Sequence, residues 1–215
     1  MVQLVGLRAR SMAQQLGLHA WVRTLAVPGR GAPVFVLHDE YASRLDMLRT
    51  LAANMIRNGQ QDVTVADVGV PPGGESRSLV REFPGMQYFG IFRVESDTPQ
   101  PGGESLQELY QREKELLAEH GDRAALHLTT STAAASAVPL RALDMVVLDV
   151  GRGNSAAQDI LLWEARVKAG GVLAGYNFGP AAMAGVRAVC DRRYGSDIHL
   201  GHGGTFWWFV EPDEE

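Results

Sequence analysis

Val63-Thr-Val-Ala-Asp67-Val-Gly69-Val-Pro-Pro-Gly73-Gly74-Glu-Ser76 is the stretch that decides how this chain folds. Its apolar, β-branched start reads as a strand buried on both faces, and the glycine-rich segment behind it as a tight turn into a helix over 76–83. Working outward, apolar runs at 88–94, 124–128, 145–150 and 171–175 read as further strands. Helical stretches at 106–120, 133–137, 156–167 and 181–194 separate or follow them, and a helix over 41–58, capped by Asp39, precedes the first strand. Strands joined through helices require right-handed crossovers and a parallel sheet covered on both faces. Segments 198–200 and 205–210 form a terminal hairpin around Gly203-Gly204, and its last strand, apolar on both sides, belongs inside the sheet. The predicted fold class is α/β: a doubly wound, mainly parallel seven-stranded sheet with helices on both faces and an antiparallel C-terminal hairpin.

The whole chain has 215 residues, 46% hydrophobic and 21% charged, which suits one domain with an appendage. A core of that size needs no disulfide or metal. The single cysteine, Cys190, excludes an intramolecular disulfide and multi-cysteine metal sites, and reads as a core residue. A net charge of -5 gives no basic field for nucleic acid, and no apolar run is long enough for a membrane span. These features predict a soluble, cytoplasmic protein. The first acid is Asp39, however, and Arg8, Arg10, Arg23 and Arg30 precede it. An acid-free, Arg-bearing start also fits an organelle leader, mitochondrial or plastid. We read residues 1–38 as a retained basic extension with an amphipathic helix over 11–25, and residues 39–215 as the main domain.

In a doubly wound sheet, ligands bind at the carboxyl ends of the strands where the strand order reverses. Asp67, Gly69, Gly73 and Gly74 stand at such an end: the glycines let backbone approach a ligand beside a helix start, and Asp67 can accept from an ammonium or from loop amides. Their spacing is neither the dinucleotide fingerprint nor a phosphate loop. A ligand-free strand-to-helix turn remains an alternative. Two histidines near the hairpin, His199 and His202, read as exposed, and His38 beside Asp39 and Glu40 resembles a metal cluster in composition only. The stretch Arg112-Glu-Lys-Glu115 reads as a solvated helix face, and Trp207-Trp208 as core.

Several ordered pieces resemble class I S-adenosylmethionine-dependent methyltransferases of the small-molecule, O-methyltransferase-like branch. They are the Asp67 to Ser76 stretch, Tyr88-Phe-Gly-Ile91, Leu143-Asp-Met-Val-Val-Leu-Asp149, and Lys168-Ala-Gly-Gly-Val-Leu-Ala-Gly175. The resemblance implies S-adenosylmethionine as cofactor, with Asp67, Gly69, Gly73 and Gly74 around its methionine part and Thr130 and Ser131 near its adenine. The family acid that ends the second strand and holds the ribose is replaced by Phe92, leaving Glu95 or Asp97 to reach back from the loop. The histidines of two family loops are also missing. Those loops read Asp149-Val-Gly-Arg152-Gly-Asn154 and Gly175-Tyr176-Asn177, so no metal is expected, and Asp149, Tyr176 and Asn177 are left to line an acceptor pocket.

Two functions follow as expectations. One is methyl transfer to a small-molecule oxygen or nitrogen nucleophile, which depends more on alignment than on a strong base. The other is a methyltransferase-like scaffold without catalysis, working through protein partners. The Phe92 ring discriminates: turned into the crevice it fills the ribose space and favours the scaffold, whereas turned into the core, with Glu95 or Asp97 facing the crevice, it lets the enzyme reading stand.

Overall fold

The computed structural model describes residues 23–25, 35–38, 43–57, 62–70, 74–94, 104–149, 155–178, 184–201 and 206–211. Its strands are β1 (Arg23–Leu25), β2 (Phe35–His38), β3 (Val63–Val68), β4 (Met86–Arg93), β5 (Ala124–Thr129), β6 (Leu143–Leu148), β7 (Val167–Gly175), β8 (His199–Gly201) and β9 (Phe206–Val210). Its helices are α1 (Arg44–Arg57), α2 (Glu75–Glu82), α3 (Leu106–Leu117), α4 (Ser131–Ala137), α5 (Ser155–Glu164) and α6 (Ala184–Arg193). No helix among the described residues is long and apolar enough to cross a membrane.

The strands form one sheet in the order β1-β2-β8-β9-β7-β6-β3-β4-β5. From β7 to β5 every pairing is parallel, whereas β9 runs antiparallel to both β7 and β8. The seven expected strands are all present. Two more come from the N-terminal segment, where β2 pairs in parallel with β8 and β1 lies antiparallel outside it. Arg23–Leu25 is therefore extended, and the helix expected over 11–25 does not reach its own end. Backbone pairing with β2 overrides the apolar spacing there; the rest of that segment lies outside the described residues.

Burial on both faces follows from the apolar strands. Helices α1, α2 and α3 cover one face through Met47, Leu51, Leu79 and Leu109. On the other face α4, α5 and α6 pack Ala135, Ile160, Trp163 and Cys190. Trp207 and Trp208 point to opposite faces of β9 and both are fully buried, as an interior strand requires. The Lys168-Ala-Gly-Gly turn has its own steric cause. The register of β6 against β7 shifts there, and a Cβ on Gly171 would stand 2.9 Å from the Asp144 carbonyl oxygen.

Three local expectations are corrected. The α1 cap is Ser43 rather than Asp39, which lies outside the described residues: Ser43 Oγ accepts from the Asp46 amide at 3.2 Å and donates to its carboxylate at 2.8 Å. Glu113, placed on a solvated face, is 1% exposed because its carboxylate turns inward and accepts from the Gly74 amide. His199 is buried too, its ring stacked on Trp208 with centroids 5.0 Å apart. His202 lies outside the described residues.

Candidate functional site

The strand order reverses between β3 and β6, so their carboxyl ends bound the crevice in which such sheets take ligands. Asp67 and Gly69 come from β3 and its turn, and Asp149 from the end of β6. The turn needs its glycine twice over. Gly69 has φ +88°, and a Cβ there would come within 2.6 Å of the Asp149 carbonyl oxygen. Its amide donates to the Ile91 carbonyl at 2.9 Å, while the Asp149 amide donates to Val68 at 2.8 Å. The ends of β3, β4 and β6 are thus held together by backbone.

Asp67 does not lie open to the crevice. Its side chain is 2% exposed, with Oδ1 taking Arg44 Nη2 at 2.6 Å and Oδ2 taking the Tyr88 hydroxyl at 3.1 Å. Arg44, 6% exposed, also donates to Glu75 at 3.0 Å and lies 5.5 Å from the centre of the Tyr176 ring. Burial opposes the guanidinium charge, but Asp67, Tyr88 and Glu75 outweigh it and raise its pKa. Burial, followed by the Asp67 charge, drives the Tyr88 pKa well up, which keeps its hydroxyl a donor. Glu75, whose side chain is 37% exposed, is the acid of this cluster that meets solvent.

Asp149 is half-buried and accepts from the Asn177 side-chain amide at 3.2 Å. Burial is the main cause that raises its pKa above 3.8. Asn177 has a φ of +67°, a conformation that asparagine tolerates better than most residues. Tyr176 precedes it, with its amide on the Leu148 carbonyl at 2.9 Å and its phenol pKa raised chiefly by burial. The structure therefore brings Asp67, Gly69, Asp149, Tyr176 and Asn177 to one end of the sheet, while Gly74 opens α2 with φ +76°.

Thr130 and Ser131 are close in sequence but differ in role. Thr130 caps α4 by accepting from the Ala133 amide. Ser131 is buried, donating to Asp159 at 2.6 Å and accepting from Trp163 Nε1 at 3.0 Å. Asp159 also faces Arg93 at 3.4 Å, and Arg93 Nη1 lies 3.5 Å from the Asp149 carbonyl oxygen. A cleft of about 600 Å³ opens between Phe89, Ile91 and Thr129 of the strands and Ala133 and Ala137 of α4, with Tyr110 and His127 also on its wall.

The Phe92 ring turns into the core. It is 3% exposed and meets Tyr110 edge-on at 6.2 Å, among the residues that α1 to α3 cover. Gly73, Glu95 and Asp97 lie outside the described residues. Sequence reasoning missed Arg44 and Arg93, the two cations that organise the site. A basic residue in the first turn of α1 carries no spacing signal toward partners that arrive 23 and 31 positions later.

No protein-family model matches the chain, and no curated protein is similar to it in sequence. Solved structures do match. A protein from Corynebacterium glutamicum is 16% identical with a TM-score of 0.58, over 99% of this chain and 91% of that one. A candidate O-methyltransferase from Klebsiella pneumoniae is 15% identical with a TM-score of 0.56, over 98% and 90%. An O-methyltransferase family protein from Burkholderia thailandensis is 13% identical with a TM-score of 0.51, over 79% of this chain and 58% of that one. Other matched structures are longer still relative to this chain, which spans 55%, 45% and 29% of them. The fold is that of the class I S-adenosylmethionine-dependent methyltransferases.

Proposed function

We propose that this chain is an S-adenosylmethionine-dependent methyltransferase acting on a small-molecule oxygen or nitrogen nucleophile. The observation that carries the reading is the crevice at the strand reversal. A left-handed Gly69 turn lies against the Asp149 carbonyl, and the Phe92 ring is turned away into the core. The residues present fit the cofactor. The Gly69 and Gly74 backbone would admit its methionine part, and the cleft between β4, β5 and α4, lined in part by alanines, Phe89 and Ile91, would take its purine. Its ammonium would be held by Glu75, the accessible acid of the Arg44 cluster, while Asp67 anchors that cluster as the buried one.

When bound, the cofactor supplies a methyl group on a sulfonium, an electrophile that needs an aligned acceptor more than a dedicated nucleophile. Asn177 holds the Asp149 carboxylate at 3.2 Å, and Asp149 takes or orients the acceptor proton. Arg44, lying over the Tyr176 ring and tied to Asp67 and Glu75, fixes that wall of the pocket.

A second reading, a methyltransferase-like scaffold that binds protein partners, draws on the full engagement of Asp67 by Arg44 and Tyr88. Thermal unfolding with S-adenosylhomocysteine separates the two. A ligand that binds only the folded state raises the melting temperature with concentration. The enzyme reading expects that rise with S-adenosylhomocysteine and none with adenine alone at the same concentration. An unchanged melting temperature favours the scaffold.

A further inference from the structure

We propose that the methyl acceptor is an amine that enters as an ammonium ion and docks on Asp149. The inference rests on the methyltransferase reading and narrows its acceptor class to nitrogen. It starts from the charges around the crevice. Arg44 is shared by two carboxylates, Asp67 at 2.6 Å and Glu75 at 3.0 Å, and Arg93 faces Asp159 at 3.4 Å. With Asp149 included, two cations stand against four acids among these described residues. Arg44 and Arg93 act on Asp149 from a distance, but no described cation forms an ion pair with it.

Asp149 itself is arranged for a positive partner. It is half-buried, and its one described side-chain partner is a neutral amide, the Asn177 Nδ2 on Oδ1. A desolvated carboxylate with only a neutral donor is poorly compensated, and a cationic ligand supplies the missing charge. The adjoining Tyr176, whose ring already carries the Arg44 guanidinium at 5.5 Å, adds an aromatic wall to that side of the site.

Acceptor chemistry then divides by sign. An oxygen nucleophile gains negative charge as it loses its proton, and beside Asp149 that charge is repelled. The guanidinium closest to Tyr176 already serves Asp67 and Glu75. An ammonium is drawn in instead. One of its protons passes to the free Asp149 oxygen and on to water, releasing the nitrogen lone pair. That pair forms the new N–C bond as the C–S bond of the sulfonium breaks, and the S–C electron pair stays on sulfur. The products are a thioether and a methylated ammonium, so the positive charge of the sulfonium ends on nitrogen.

The test uses the full chain saturated with S-adenosylhomocysteine and probes matched in skeleton: benzylamine, benzyl alcohol and benzoate, and 1,4-diaminobutane with 1,4-butanediol. Ligand-observed NMR titration gives each affinity. At least one amine is expected to bind about tenfold or more tightly than its alcohol. Asp149→Asn is expected to abolish that ratio while S-adenosylhomocysteine binds as before and the melting curve stays cooperative. The proposal is overturned if an alcohol or benzoate equals its amine, if the preference survives in Asp149→Asn, or if no amine binds at millimolar concentration. Failure of the unmodified chain to bind S-adenosylhomocysteine is a different result, and it removes the methyltransferase reading itself.

Discussion

Removing the Arg44 guanidinium leaves Asp67 buried with, among the described residues, only the Tyr88 hydroxyl as side-chain partner. An uncompensated buried charge of this kind costs about 3–5 kcal/mol, so Arg44→Ala should lower unfolding free energy by that order in urea titrations. Asp149 behaves in the opposite sense. Its pKa is raised in the folded state, chiefly by burial, so the folded state holds the proton more tightly than the unfolded chain. The stability gained from that proton is present below the ordinary aspartate value and is lost as pH rises through the raised one. Asp149→Asn should therefore raise the melting temperature at neutral pH, and the gain should disappear in acid below the ordinary aspartate range. A stabilising substitution at the centre of a crevice is the mark of a residue kept for function. Asp67, Gly69 and Asp149 were legible as residues because each closes a strand. Arg44 was not: its importance comes from two distant acids and a ring that only the folded chain brings to it.

Helix α3 shows what can and cannot be read at the level of an element. Ser105 and Glu108 form a reciprocal capping box, with the Ser105 side chain accepting from the Glu108 amide and the Glu108 carboxylate from the Ser105 amide. Ser105→Ala should cost about 0.5–2 kcal/mol, measurable as a shift in the urea midpoint at constant slope. The helix and its position were clear from its charged, periodic sequence. Glu113 was misjudged because patterning assigns a charge to solvent, whereas this one closes the start of α2 by accepting from the Gly74 amide. His199 failed for a related reason, since stacking on Trp208 depends on β8 and β9 being neighbours in the sheet.

At the scale of the molecule, alternating strand and helix signals were enough to give the doubly wound sheet and its antiparallel end. The N-terminal strands were not legible. At three and four residues they are too short for an alternation pattern, and β2 pairs with β8, which lies at the far end of the chain. Residues 23–25 and 35–38 are thus strands of the sheet. A chain begun at residue 39 would lose the β2–β8 and β1–β2 pairings. That shortened chain should melt at a lower temperature than the full chain, which thermal unfolding of the two side by side would show.

The fold, the Gly69 turn and the core-facing Phe92 all bear on one claim, that the crevice binds the methyl donor. Calorimetric titration of the full chain with S-adenosylmethionine and S-adenosylhomocysteine tests it most directly. Micromolar binding is expected, and Gly69→Ala should abolish it, because a Cβ there collides with the Asp149 carbonyl oxygen at 2.6 Å. No heat with either ligand at millimolar concentration would contradict it and leave the sheet as a scaffold for other partners.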